Sequence, residues 1–156
     1  MKIFLIRHAK AKQRIEWNHI HRDFDRPLRQ EGILEFKNMI KHLKILHGID
    51  HIYSSSLVRT VQTAKLLSEE INVDFSAHHE LNEGNQAKKM LAFLKLQKEK
   101  NIAYVGHGSE IPAIIDIIFQ KQLPTSMKKG SVTIIDNYKS HPQLLSLIYP
   151  RLFHAQ

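Results

Sequence analysis

The apolar run Ile3-Phe4-Leu5-Ile6 ends, with no spacer, on Arg7 and His8. Further along, IYSSSLVRTVQTA leaves a β-rich run through Ser54-Ser55-Ser56 and then carries Arg59. A third run, YVGHGSEIP, ends on Gly106-His107-Gly108. If these ends converge, two guanidinium forks and two imidazoles face one spot. That set suits a phosphoryl group, because each fork gives paired charge-assisted hydrogen bonds to oxygens. A neutral imidazole nitrogen can attack phosphorus and form a covalent intermediate that water later hydrolyses. Neighbouring arginine charge disfavours protonation of the attacking ring, while a second histidine, if protonated, adds charge to the oxygen clamp. The leaving oxygen then needs a proton, and the segment His79-Glu80-Leu81-Asn82-Glu83-Gly84 offers two carboxylic acids, Glu80 and Glu83.

Taken singly, most of these residues have a plainer reading. An Arg-His pair can decorate a surface, Arg59 can be an exposed helix residue, and Glu83 beside Gly84 can be a polar turn. His107 between two glycines is harder to dismiss, since glycines let the backbone approach a ligand closely. Their shared placement at the ends of buried runs makes chemistry the better reading of the group.

The elements that must position them follow from the hydrophobic pattern. Residues 2–6 read as a buried strand, as do His51–Ser54, Asn101–Gly106, Val132–Ile135 and Leu144–Tyr149, with a weaker candidate at Val73–Ser76. Ile33, Phe36, Ile40 and Leu43 lie on one face of a helix from Gln30 to Leu46, with Gly48 as its stop. Leu57, Val61, Ala64, Leu67 and Ile71 mark a second helix, and Met90, Leu91 and Leu94 a third. Ile111, Ile114, Ile115 and Ile118 mark a fourth, with Ser109 as N-cap and Pro112 in its first turn. Alternating strands and helices predict a largely parallel sheet covered on both faces. Ligands of such sheets bind at the carboxyl ends of the strands, where Arg7 and His8 stand.

Composition narrows the class. At 156 residues without repeats or linker-like tracts, the chain reads as one domain, 1–156. It has no cysteine, which excludes disulfides and thiolate metal sites, and no carboxylate cage for a metal stands out. No apolar run reaches the roughly 20 residues of a membrane span, no secretory signal is legible at the N-terminus, and a cytoplasmic location is the default. The formal charge of +8 points to an anionic partner. The basic clusters (Lys10-Lys12-Arg14, Lys88-Lys89 and Lys128-Lys129) lack the interleaved aromatics of a single-strand binder, so nucleic acid is disfavoured.

The same residues carry a family resemblance. LIRHAKA resembles the nucleophile motif of the histidine phosphatase superfamily, also called phosphoglycerate mutase-like. DRPLRQEG is similar to its R-P-L-S/T-x-x-G segment, IYSSSLVRTVQTA to the block with the second phosphate arginine, and YVGHGSEI to the block with the second catalytic histidine. GSVTIID resembles a late strand. The resemblance implies a three-layer α/β/α sandwich with a mostly parallel sheet. It makes His8 the phosphorylated nucleophile, Arg7 and Arg59 phosphate ligands, and His107 both catalytic and phosphate-binding, with no cofactor or metal. ELNEG resembles the family's L-x-E acid segment, which favours Glu83 as general acid over Glu80.

Two departures bear on the substrate. Ala9 replaces the usual Gly, as in short members resembling SixA-type phosphohistidine phosphatases, and Arg14 stands where mutases commonly carry Asn. The expected activity is therefore hydrolysis through a phosphohistidine, on a phosphohistidine protein or on a small phosphate ester. A retained Glu83 pulls toward the ester, because phosphohistidine has a good nitrogen leaving group. The rival from another class is a basic protein that binds phosphate or nucleic acid without turnover. Specificity is expected in loops such as residues 9–25.

Overall fold

Ile3, Phe4, Leu5 and Ile6 are all buried because the strand they form has helices on both sides. The computed structural model describes residues 1–18 and 21–153. Its strands are β1 (Lys2–Arg7), β2 (His51–Ser55), β3 (Phe75–His78), β4 (Ile102–Gly106), β5 (Val132–Asp136) and β6 (Gln143–Ile148). Its α-helices are α1 (Arg14–Asn18), α2 (Gln30–His42), α3 (Val58–Ile71), α4 (Ala87–Lys95) and α5 (Glu110–Phe119). Successive side chains of a strand point to opposite faces. Phe4 and Ile6 accordingly join Phe36 and Met39 of α2 and Ala64 and Leu67 of α3 in one core. Ile3 and Leu5 join Met90 and Leu94 of α4 and Ile111 and Ile115 of α5 in the other. The result is the expected three-layer α/β/α arrangement.

The six strands run in the order β3-β2-β4-β1-β5-β6. The pairs β1/β4, β2/β4 and β2/β3 are parallel, so the carboxyl ends of β1, β2 and β4 share one edge. The last two strands are antiparallel: Ile6 faces Val132 across β1/β5, and β6 pairs antiparallel with β5. Because β5 is reversed, its beginning lies at the edge where β1 ends. Among the described residues no helix is long and apolar enough to cross a membrane.

Several expectations need correcting. The helix beginning at Gln30 stops at His42 rather than Leu46, and the chain tightens into a 3-10 turn over Lys44–Gly48. The Leu43 N–H bonds the Ile40 carbonyl, three residues back, and Leu46 thereby reaches the core. Gly48 thus ends the tighter turn and not the α-helix. Ser109 does stand at the N-cap position of α5, but its backbone is helical and it makes no capping bond; its hydroxyl donates to Glu110 Oε2 at 2.7 Å instead. The weak strand candidate at Val73–Ser76 lies two residues later, as β3. Within the loop 9–25, α1 and a 3-10 turn at Asp23–Asp25 form, while residues 19–20 lie outside the described residues.

Candidate active site

Three neighbouring parallel strands deliver their polar ends to one cavity of about 320 Å³, lined by Arg7, His8, Arg59, Glu83 and His107, with Lys12, Arg14, Arg26 and Lys129 around them. Arg7 and His8 leave β1, His107 leaves β4, and Arg59 comes from the first turn of α3 after β2. The structure brings Glu83 into this set. Glu80 does not line the cavity and pairs with His79 at 3.3 Å.

His8 is held on both sides of its peptide. Its N–H donates to the Gly106 carbonyl at 2.9 Å, and the following Ala9 N–H donates to Thr63 Oγ1 at 3.1 Å. Its ring Nδ1 lies 2.8 Å from the Ala9 carbonyl oxygen. A carbonyl only accepts, so Nδ1 carries the hydrogen and Nε2 keeps its lone pair. Burial, assisted by the charges of Arg59 and Arg7 and by His107, holds the ring well below the ordinary imidazole range. Neutral, oriented and unprotonated at Nε2, this imidazole is prepared to be a nucleophile.

The His107 ring meets that of His8 edge-on, with centroids 5.5 Å apart. Its Nε2 is 3.0 Å from Ser55 Oγ, which in turn lies 3.0 Å from Asn82 Oδ1. Asn82 Oδ1 also accepts the Ser56 N–H at 2.7 Å, which identifies it as the amide oxygen. Ser55 must therefore donate its hydrogen to Asn82 and accept from His107, placing the His107 proton on Nε2. Burial first, then the charges of Arg59, Arg7 and Arg26, push His107 down to about 3, with Asp23 opposing. A protonated His107 in the oxygen clamp is thus not the resting state of the free protein.

Gly108 lines the cavity, and both glycines flanking His107 also make room within the protein. A Cβ on Gly108 would stand 2.6 Å from Arg7 Cζ, and one on Gly106 would stand 2.2 Å from the Tyr104 ring. Their smallness accommodates protein side chains, Arg7 among them.

Arg59 is almost fully buried, with Nη2 2.6 Å from Glu83 Oε2 and Nη1 3.0 Å from the Asp23 carbonyl oxygen. Asp23 also accepts from Arg26 at 2.8 Å and from Arg14 at 3.1 Å. Burial raises the Asp23 carboxyl, but hydrogen bonds from Arg14 and Arg26 and the charge of Arg59 outweigh it and hold Asp23 at about 2. Arg14 Nη2 reaches Glu83 Oε2 at 3.5 Å, so the residue standing in place of Asn does bring positive charge to the pocket. The turn carrying Glu83 is braced by Glu110, whose Oε1 accepts the Gly84 N–H at 2.9 Å. Arg7 Nε, Arg59 Nε and His107 Nδ1 are buried without hydrogen-bond partners among the described residues. The two guanidinium Nε–H groups are cationic donors with spare capacity, suited to binding an anion rich in oxygens, whereas the neutral His107 ring presents a lone pair at Nδ1.

Asp23, Arg26, Asn82 and Ser55 were not singled out from sequence. Arg26 lies inside DRPLRQEG, Asp23 two residues before it, Asn82 inside ELNEG and Ser55 inside IYSSSLVRTVQTA, so the signal was membership of, or adjacency to, segments already noted. Among the described residues no cluster of histidine and carboxylate suited to a metal occurs.

Residues 3–89, more than half of the chain, match the model of the histidine phosphatase superfamily (branch 1). A Proteus mirabilis protein named as a probable phosphoglycerate mutase, GpmB, is 30% identical over 105 residues, which are 64% of this chain and 46% of that protein. The match thus spans about half the length of that relative. Among solved structures, the protein histidine phosphatase SixA complexed with tungstate superposes with a TM-score of 0.86 at 17% identity, covering 99% of this chain and 100% of that one. A protein from Agrobacterium tumefaciens designated phosphohistidine phosphatase SixA gives 0.82 at 23% identity, covering 96% and 97%. A phosphoserine phosphatase variant from Entamoeba histolytica, bound to phosphoserine, gives 0.67 at 21%, covering 96% and 98%.

Proposed function

The chain belongs to the histidine phosphatase superfamily, and from that membership we propose that it is a metal-independent phosphatase working through a phosphohistidine on His8. The observation that carries this reading is the buried, neutral His8 ring, whose Nε2 lone pair is left free by the bond from Nδ1 to the Ala9 carbonyl, inside a ring of arginines. Arg7 and Arg59 take the phosphoryl oxygens, the incoming group exchanging with Glu83 at Arg59 Nη2. His8 Nε2 bonds to phosphorus as the bond to the leaving group breaks, and the Glu83 carboxyl gives its proton to the leaving oxygen. The Glu83 carboxylate then takes a proton from water as that water attacks phosphorus. The N–P bond breaks, phosphate leaves and His8 is regenerated.

For the substrate, a phosphohistidine on a protein accords with the SixA neighbours, while a small phosphate ester is favoured by one specific observation. Glu83 lies in the pocket, 2.6 Å from Arg59, where an oxygen leaving group needs an acid and a nitrogen leaving group has less use for one. Phosphate release should be measured on a phosphorylated histidine carrier protein and on a panel of phosphate esters, with wild type and His8→Ala, with and without EDTA. The reading expects turnover that survives EDTA and disappears in His8→Ala. Full activity in that variant, or activity lost to EDTA and restored by a divalent metal, contradicts it.

A further inference from the structure

The turn Met127–Gly130 is stapled to the residues of the proposed chemistry. The Met127 carbonyl accepts from Arg7 Nη1. The Gly130 N–H lies 3.0 Å from both the Arg7 and the His8 carbonyl oxygens, and the Arg7 N–H donates to the Ser131 carbonyl at 3.1 Å. The Ser131 hydroxyl and N–H both return to the Lys128 carbonyl, at 2.6 and 3.0 Å. Gly130 itself has φ +78°, and a Cβ there would sit 2.9 Å from Pro150 Cγ, so the turn is closely confined. The side chains mounted between these staples are Lys128 and Lys129.

Neither lysine has an ion-pair partner among the described residues, whereas Arg14, Arg26 and Arg59 share Asp23. Lys129 lines the cavity of His8 and also an adjoining cavity of about 240 Å³, where Lys128, Arg151 and Tyr149 join it. The acid at this second cavity, Glu35, is 2.6 Å from Lys10 Nζ. Burial, then the charges of Arg7, Arg26, Arg29 and Lys10, lower the Lys129 ammonium from its ordinary value. Like charges held together cost stability that a bound anion recovers. Arg7 and Arg59 suffice for one phosphoryl group, so the remaining unpaired charge has no role in the chemistry described.

We propose that Lys128 and Lys129, with Arg151, form a subsite for a second anionic group of the substrate, a phosphate or carboxylate borne close to the phosphoryl group that is transferred. The phosphatase reading supplies the identity of the first group, and Lys129, common to both cavities, joins the two positions. The second anion can come from a small bisphosphate or phosphocarboxylate, or from an acidic residue beside a phosphohistidine on a protein.

Binding of orthophosphate, pyrophosphate and tripolyphosphate, measured by calorimetry, tests the subsite without turnover. Wild type is expected to bind the better of the two polyphosphates about tenfold or more tighter than orthophosphate. Replacing Lys128 and Lys129 together by Met should cut that ratio to about threefold or less, while Lys88→Met with Lys89→Met, the same charge removed from α4, should preserve it. A ratio that persists in the first variant, or falls equally in the second, overturns the proposal. If the double variant does not fold, each single substitution should lower the ratio, and two unchanged ratios overturn the proposal equally. Turnover of phosphohistidine peptides with Asp or Ala as neighbour, set beside phosphoglycerate, then identifies the source of the second anion. A wild type that shows the ratio but hydrolyses nothing contradicts the phosphatase reading and leaves the subsite standing; hydrolysis through His8 without the ratio does the reverse.

Discussion

His107 Nδ1 and Glu83 Oε2 stand 3.8 Å apart, with Nδ1 buried and making no hydrogen bond among the described residues. Since Ser55 and Asn82 place the ring proton on Nε2, the neutral imidazole turns a lone pair toward a carboxylate. Burial first, and then the arginine charges, hold His107 neutral; a phosphoryl dianion between Arg7 and Arg59 would offset those charges, and a second proton on Nδ1 would then make the ring a donor to phosphate. Calorimetry of phosphate binding near pH 7, in buffers of differing ionisation enthalpy, should report uptake of about one proton. Nitrogen NMR should assign it to His107 Nδ1. Ser55→Ala, which frees the tautomer, is expected to lower kcat by about tenfold or more with a smaller change in KM.

Acid stability should carry the signature of the same ring. The unfolded chain protonates His107 near its ordinary value of 6.5 and the folded chain only near 3, so between these values the unfolded state binds more protons. Stability then falls as pH is lowered through that window, by up to about 1.4 kcal/mol per pH unit for this residue. Denaturant unfolding from pH 7 to pH 4 (about the span in which Asp23 stays ionised) should show this slope, reduced in His107→Ala. An unchanged slope in that variant would place the titration elsewhere.

Glu83→Gln removes the proposed proton donor while keeping the size of the side chain. Hydrolysis of oxygen esters should fall by about 100-fold or more, and that of a phosphohistidine substrate by far less. Glu80→Gln, outside the cavity, should change neither rate beyond about threefold. Equal losses on both substrates for Glu83→Gln would assign that residue to binding, through Arg59, and not to proton transfer.

Gly108→Ala asks whether Arg7 needs the space. The added Cβ would meet Arg7 Cζ at 2.6 Å, and the guanidinium is already tied to the Met127 carbonyl. KM should rise by about tenfold with retained helix and strand content, since only the far end of one side chain is displaced. Wild-type kinetics would mean that the guanidinium moves without consequence.

How much of this was legible in the sequence depended on range. Ile3–Ile6, His51–Ser54 and Asn101–Gly106 read as buried strands, and Arg7, His8, Arg59 and His107 follow their ends, so these four side chains of the cavity could be placed by a local pattern. The direction of β5 could not, because VTIID is buried on both faces whether the pair is parallel or antiparallel. The Asp23 clamp was also hidden: it grips Arg59 across 36 positions, from a 3-10 turn with no periodic signal of its own. Helix α2 fell short of its predicted end because Leu46 reaches the core more directly from a tighter turn.

The most direct measurement is rapid quenching of the protein with a substrate labelled at phosphorus, followed by mapping of the label. A phosphoenzyme labile to acid and stable to base, with the label on His8 and absent from His8→Ala, is the predicted result. Turnover with no label on His8 at any time point, together with undiminished hydrolysis by His8→Ala, would contradict it.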